Sequence, residues 1–266
     1  MAPPDAITPG RLERRIGLPD APVLIDLCLD EDFALDPVLI PGARRVDHRD
    51  TAALRALADR GPVVAICQKG RKLSQGVAAL LRAEGRRAEY LEGGMVGWRA
   101  LGGAPALAAA ALPAPVEGRT LWVTRHRPKI DRIACPWLIR RFVDRDAAFL
   151  FVAPAEVDGV AARFGATPFD TEGAHFGHRG AGCTFDTMLA EFGLATPALE
   201  AMATVIRAAD TDRHALAPEA AGLLALSVGL SRQFSDDSAQ MEAGLAVYDA
   251  LYRWARDGRG EGHRST

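Results

Sequence analysis

The sequence predicts an α/β domain with a parallel sheet and flanking helices, followed by a mostly α second domain with a small β-sheet. Three observations carry that expectation. In the first hundred or so residues, short apolar runs alternate with helix-length amphipathic runs. Residues 107–116, LAAAALPAPV, have neither a polar face nor turn chemistry and read as a linker. Beyond Cys183 the pattern is almost entirely helical. The expected domains are therefore 1–106 and 118–266, joined by a linker at 107–117.

In chain order, Val23-Leu24-Ile25-Asp26-Leu27 is a short apolar strand and Pro41-Gly42 a turn. Thr51 to Asp59 has helical spacing, with Leu54, Leu57 and Ala58 apolar. Val63-Val64-Ala65-Ile66 is a second buried strand. Ser74 to Glu84 is a helix stopped by Gly85, and Arg87 to Leu91 is a third strand. In the second domain, strands are expected at Leu121–Thr124 and Ala148–Val152, with a helix over about Asp131 to Val143 between them. Helices follow at roughly 184–192, 196–209, 217–230 and 237–256. No internal repeat is visible.

Of the 266 residues, 48% are hydrophobic and 25% charged, enough for two domains with separate cores. The net charge of -2 offers no electrostatic argument for nucleic acid or for a membrane surface. No stretch approaches the ~20 apolar residues of a spanning helix. The opening MAPPDAITPGRLERR lacks a signal-peptide apolar core. Cys28, Cys67, Cys135 and Cys183 are widely spread and form no CxxC pair. Reduced thiols and a cytoplasmic location are the expectation.

The segment VVAICQKGRKLSQGVAALLRAEG runs from an apolar strand into Cys67, then a polar loop, then a helix. Loop N–H groups and the helix N-terminus would converge on the sulfur and favour a thiolate. They would also cradle an anionic group, with Gln68, Lys69, Gly70, Arg71, Lys72 and Ser74 around it. The plainer alternative is a buried cysteine at a strand end with no chemistry. One glycine and three cations beside the sulfur favour chemistry.

The first ~105 residues resemble a rhodanese domain. They carry VLIDL at Val23–Leu27, IPGA at Ile40–Ala43, the Cys67 loop, and LEGGMVGW at Leu91–Trp98, in rhodanese order and approximate spacing. The resemblance implies a rhodanese-like parallel sheet in which Cys67 accepts a sulfane sulfur and passes it to a thiol or cyanide. A common rhodanese loop reads Cys-x-x-Gly-x-Arg-Ser/Thr. Here Gly70 and Lys72 take two of those places, Leu73 replaces the hydroxyl residue, and Ser74 follows one position later. Leu73 also holds the place where related phosphatases need an arginine, which argues against phosphatase activity. Cys28 sits where many rhodaneses carry an arginine, either as a resolving thiol or as a packed small residue.

Two clusters stand out in the second domain. TRHRPKIDRIACPWLIRRF, Thr124 to Phe142, sets six cations (Arg125, Arg127, Lys129, Arg132, Arg140, Arg141) and His126 against one acid, Asp131. Cations before a helix can form an oxyanion site, for which Lys129 and Arg132 are the candidates. A solvated basic face is the alternative. Cys135, near the start of the same helix, reads as a redox-active thiol or as core filling; Pro136 is expected in the first turn. The second cluster joins His175, His178, Cys183 and Asp186 with Asp210, Asp212 and His214 downstream. Imidazole with carboxylate suits Fe, Mn or Zn, and His178, Asp186 and Asp210 are the candidate ligands. Against that, Asp186 could simply cap its helix and His178 hydrogen-bond its loop.

TRHRPKIDRIACPWLIRRFVD, HFGHRGAGCTFDTMLAEFGL and RAADTDRHALAPEAAGLLALSVGLSR resemble the C-terminal domain of the bacterial chromate-resistance protein family, over roughly residues 119–256. That resemblance implies a chromate or oxyanion context. His175 departs from it, standing where an acid is expected. Three functions follow: a persulfide-forming sulfurtransferase linked to oxyanion resistance, an oxyanion- or metal-sensing regulator, and a metal-dependent detoxification enzyme in the second domain. The implied partners are a small-molecule sulfur donor, a thiol acceptor and chromate or another oxyanion. No helix-turn-helix supports nucleic-acid binding.

Overall fold

A computed structural model describes residues 5–262 and divides into two units, the first running to Leu112 and also taking in Arg141–Asp144, the second comprising Pro113–Arg140 and the residues from Arg145 on. In the first unit, strands β1 (Ala6–Ile7), β2 (Val23–Asp26), β4 (Ala43–Arg45), β5 (Val63–Ile66) and β6 (Ala88–Leu91) form one sheet in the order β1-β6-β5-β2-β4. Every pairing in it is parallel. The helices are α1 (Pro9–Glu13), α2 (Asp30–Leu35), α3 (Thr51–Ala58), α4 (Lys72–Ala83) and α5 (Gly94–Arg99). Val23, Ile25, Val63 and Ala65 pack with Leu54 and Leu57 of α3 and Val77 and Leu81 of α4. The alternate residues Leu24, Val64 and Ile66 are buried as well, so both faces of the central strands are covered.

The alanine/proline stretch is only partly a linker. Leu107–Ala108 forms strand β7, antiparallel to β3 (Val38–Leu39), and Leu107 is fully buried. An apolar leucine with a strand partner outweighs the loop-like composition around it.

The second unit holds a three-stranded parallel sheet, β10-β8-β9, built from β8 (Leu121–Arg125), β9 (Ala148–Val152) and β10 (Thr167–Pro168). Around it are α6 (Asp131–Leu138), α7 (Val157–Phe164), α8 (Thr184–Phe192), α9 (Pro197–Asp210), α10 (Ala220–Gln233) and α11 (Asp237–Arg253). Trp122 of β8 meets Phe169, Phe176 and Phe192 edge-on, and Trp137 of α6 packs with Phe185 and Tyr252. The expected helix over 131–143 is α6 followed by a π-helical stretch, Ile139–Val143. Pro136 is the sixth residue of α6 rather than part of its first turn; lacking an N–H, it cannot complete the regular ladder before the π stretch. Among the described residues no helix is long and apolar enough to cross a membrane.

Two glycines show how tightly the Cys67 loop is set. Gly94 has φ +59°, and a Cβ there would lie 2.0 Å from the Cys67 carbonyl oxygen and 2.4 Å from the Gly70 nitrogen. Gly76, inside α4, would place a Cβ with nothing within 4 Å of it. Gly76→Ala should therefore raise stability by about 0.5–1 kcal/mol. Gly94→Ala should lower it by more than the roughly 1–2 kcal/mol of a left-handed conformation alone. Urea unfolding monitored for the first unit checks both signs.

Candidate functional site

Cys67 follows β5 directly and is 5% exposed. Its Sγ lies 3.1 Å from the Ser74 hydroxyl, in the first turn of α4. That hydroxyl also reaches the Arg71 carbonyl at 3.3 Å. The one-residue displacement of the hydroxyl along the loop thus still brings it to the sulfur. No side chain caps α4, so the positive end of the helix is open toward the loop. Gly70 adopts φ +63°, and Lys69, Arg71 and Lys72 are exposed around the loop.

The LEGGMVGW segment holds this loop from behind. Gly93 and Gly94 are both left-handed, and the first turn of α5 then directs two N–H groups outward. Met95 N–H donates to the Cys67 carbonyl and Val96 N–H to the Gln68 carbonyl, each at 3.1 Å. A Cβ on Gly70 would sit 2.4 Å from the Leu91 carbonyl oxygen, so the two turns fit only as glycines.

Cys28 is the nearest thiol in kind. It is 7% exposed, and its Sγ is 4.0 Å from Gln68 Oε1. Burial pushes the Cys28 thiol up, and the Asp26 carboxylate, which accepts the Cys28 N–H at 2.7 Å, pushes it further. It is held as a thiol. A cavity of about 250 Å³ is lined by Cys28, Phe33, Gln68, Met95 and Arg99 among others, beside the Cys67 loop.

In the second unit, the structure brings together His178 and Asp210 but not Asp186. His178 Nε2 lies 3.2 Å from Asp210 Oδ2, 3.4 Å from Asp170 Oδ1 and 3.6 Å from Asp131 Oδ2. Asp131 opens α6, Asp170 follows β10, His178 lies in the loop before α8, and Asp210 ends α9. Asp186 instead completes a capping box with Cys183, accepting its N–H at 2.9 Å, and pairs with Arg207 at 2.6 Å. Its place at the third position of α8 makes it a cap. His175 pairs with Glu191 at 2.9 Å, and Arg179 pairs with the same glutamate, so this histidine belongs to a surface ion-pair group.

Asp131 is fully buried. Its Oδ2 accepts the Thr184 N–H at 2.5 Å, while its Oδ1 has no hydrogen-bond partner. Burial pushes its carboxyl well above the ordinary range, and Asp210 and Asp170 push it further. Burial likewise raises Asp210. Burial pushes Asp170 up too, but hydrogen bonding to His178 and Thr184 and the charges of Arg132 and Arg125 outweigh it, leaving the carboxyl below its usual value. The hydrogen bond to Asp170 and the charges of Asp131 and Asp210 push His178 up to about 9 against the opposing effect of burial.

The backbone leading into Asp131 is clamped. Gln240 donates to the Pro128 carbonyl at 2.5 Å, Tyr248 to the Ile130 carbonyl at 2.9 Å, and Ile130 N–H donates to Ser227 at 3.2 Å. The oxyanion pair expected at Lys129 and Arg132 is not what these residues form. Arg132 is turned inward, pairing with Asp170 at 3.1 Å and donating to the His126 carbonyl at 2.9 Å, whereas Lys129 is exposed. Cys135 is fully buried, and burial and Asp131 push its thiol well up, so it fills the core.

Each unit resembles known proteins. The family described as ChrB, C-terminal domain, matches residues 122–255. The chain belongs to this family. A rhodanese-like domain matches residues 8–101, the unit that holds Cys67. Protein ChrB of Cupriavidus metallidurans is 36% identical over 141 residues, covering 53% of this chain and 42% of that relative. The chain thus matches less than half the length of this ChrB. Among solved structures, a rhodanese-like domain protein from Staphylococcus aureus is 26% identical, with TM-score 0.28, over 35% of this chain and 90% of its own. Thiosulfate sulfurtransferase from Pseudomonas aeruginosa is 27% identical, with TM-score 0.32, over 38% of this chain and 19% of its own.

Sequence reasoning misses Asp131 and Asp170 as partners of His178. Along the chain Asp131 is only the lone acid in a basic run, and Asp170 lies in FGATPFDTEG, with no spacing to tie it to the rest. The role of Asp186 is open to a direct check. Asp186→Ala should cost about 1 kcal/mol through loss of the cap, seen as a lower urea midpoint with an unchanged slope.

Proposed function

We propose that the first unit is a sulfurtransferase module in which Cys67 carries a persulfide, in a protein linked to chromate or oxyanion resistance. The observation that carries this reading is the seat of Cys67: a sulfur at the end of a parallel strand, 3.1 Å from Ser74, against the uncapped N-terminus of α4. Such a seat suits the anionic persulfide, which backbone N–H groups at a helix N-terminus can cradle. The exposed Lys69, Arg71 and Lys72 would attract an anionic donor such as thiosulfate. The link to chromate rests on family membership and on the resemblance of the second domain to chromate-resistance proteins. A reducing cytoplasm would keep the four cysteines, all free among the described residues, as thiols.

The chemistry needs only a donor and an acceptor. The Cys67 thiolate attacks the sulfane sulfur of thiosulfate, the sulfur–sulfur bond breaks, and sulfite leaves with the electron pair. Cys67 now carries the transferred sulfur as a persulfide. An acceptor thiolate or cyanide attacks the outer sulfur and regenerates the Cys67 thiolate. Ser74 can donate its proton to the sulfur in each anionic state, giving up its contact with the Arg71 carbonyl.

Intact mass after incubation with thiosulfate tests the assignment. Wild type should gain the mass of one sulfur atom, reversibly removed by cyanide, and Cys67→Ser should not. Cys28→Ser, Cys135→Ser and Cys183→Ser should load as wild type. Equal loading by all four variants would sink the assignment. Ser74→Ala should load about tenfold more slowly or worse, since a hydrogen bond to a charged group is worth about 1.5–3 kcal/mol.

A further inference from the structure

We infer that Asp131, Asp170, His178 and Asp210 bind a divalent transition-metal ion of the Mn²⁺ or Fe²⁺ type. This site lies wholly in the second unit and is independent of the sulfur chemistry at Cys67. The first support is spacing. Three carboxylate oxygens, one from each aspartate, lie 3.2, 3.4 and 3.6 Å from a single imidazole nitrogen. Donors around one small cation, at bond lengths of about 2.1 Å, sit about 3.0–3.5 Å apart. The ligand atoms of Asp131, Asp170 and His178 all lie within 4.8 Å of one another, and Asp210 stands 3.2 Å from the imidazole, so modest movements would close these groups on an ion.

The second support is an unmet polar group. Asp131 has no exposed surface, meets the cluster through Oδ2, and leaves its other oxygen, Oδ1, without a hydrogen-bond partner. Nearly all buried carboxylate oxygens find a donor or a cation, because leaving one unpaired is costly. The rest of Asp131 is anchored: Oδ2 takes the Thr184 N–H, and the clamp on residues 128–130 fixes the start of α6.

The third support is charge. Arg125 and Arg132 both engage Asp170 Oδ2, at 3.2 and 3.1 Å. That leaves Asp170 Oδ1, with the Thr184 hydroxyl 3.0 Å away, directed at the cluster. Among the described residues, Asp131 and Asp210 form ion pairs with the imidazole and with no arginine. A neutral His178 ligand and one divalent ion would offset those two charges. The pairing of Asp170 with two arginines resembles the outer partners that orient metal ligands elsewhere. Three carboxylates with one imidazole suit Mn²⁺ or Fe²⁺ better than thiolate-loving ions, and the imidazole separates them from Mg²⁺ and Ca²⁺. His178 is 46% exposed and Asp210 18%, so the ion has a route in and water can complete its coordination.

The rival account is that protonated His178 is itself the counter-ion and no metal enters. The two are separated by titrating full-length, chelator-treated protein with Mn²⁺, following free ion by electron paramagnetic resonance and heat by calorimetry. One Mn²⁺ per chain is expected, with a higher Tm for the loaded protein. His178→Ala and Asp210→Asn sit at the rim and should fold, as circular dichroism would verify. Each should weaken Mn²⁺ binding about tenfold or more, as should Asp131→Asn if it folds. Asp186→Asn, outside the cluster, should bind as wild type. Absence of saturable Mn²⁺ binding, or wild-type affinity in both rim variants, overturns the proposal in favour of the imidazolium counter-ion.

Discussion

Asp131 has no exposed surface, and much of the second unit is arranged around that constraint. A carboxylate out of water must be given donors or a cation. The chain supplies them from distant places: the Thr184 N–H at the start of α8, His178 from the preceding loop, and a start to α6 held by Ser227, Gln240 and Tyr248 of the last two helices. The backbone is distorted to do so. Ile130, β-branched, has φ +35°, and Asp170 has φ +49°. Non-glycine residues in such regions cost about 1–3 kcal/mol each and persist where surrounding contacts over-determine them. Local stability is given up at the place where the acids meet.

The four cysteines make the same point from the other side. All are buried, so burial alone does not distinguish them. Cys135 and Cys183 lie in the field of Asp131, and Cys28 beside Asp26, and in each case carboxylates add to burial in keeping the thiol protonated. Cys67 meets a hydroxyl, a helix N-terminus and exposed cations instead. What makes a cysteine useful as a nucleophile is the sign of its surroundings. A parallel strand running into a helix provides a favourable sign through the backbone itself, and the two-glycine turn before α5 fixes the loop carbonyls so that the sulfur stays in register with α4.

Most of the architecture is legible in the sequence. The three longer strands of the first sheet, the helices α3 and α4, strands β8 and β9 and helices α8 to α11 all follow from apolar period and stop signals. What escapes is short or non-local. β1 and β4 have two and three residues, too few for a period to show, and α7 has eight residues with a glycine among them. β7 is hidden inside an alanine-rich stretch, because its partner β3 lies far earlier in the chain. At the sites, the placement of Cys67 between a strand and a helix can be read because those residues are contiguous in the chain. The His178 cluster can be read only in part: Asp210 is found, Asp186 is wrongly drawn in by its proximity in sequence, and Asp131 and Asp170 carry no local signature.

The basic run from Thr124 to Phe142 shows why local charge misleads. Counted along the chain, six cations against one acid describe an anion site. In the fold, Arg132 and Arg125 turn toward Asp170, and Arg140 pairs with Glu242 and donates to the Ala147 carbonyl. The cations are counter-charges for acids brought in from elsewhere, and the exposed Arg127 and Lys129 are left at the surface. The potential at the start of α6 is therefore set by contacts between residues far apart in the chain, not by neighbours in sequence. Asp170, Asp210 and Asp131 converge there and both nearby arginines are engaged by one of the three, so the centre of the basic run is where acids from distant parts of the chain meet.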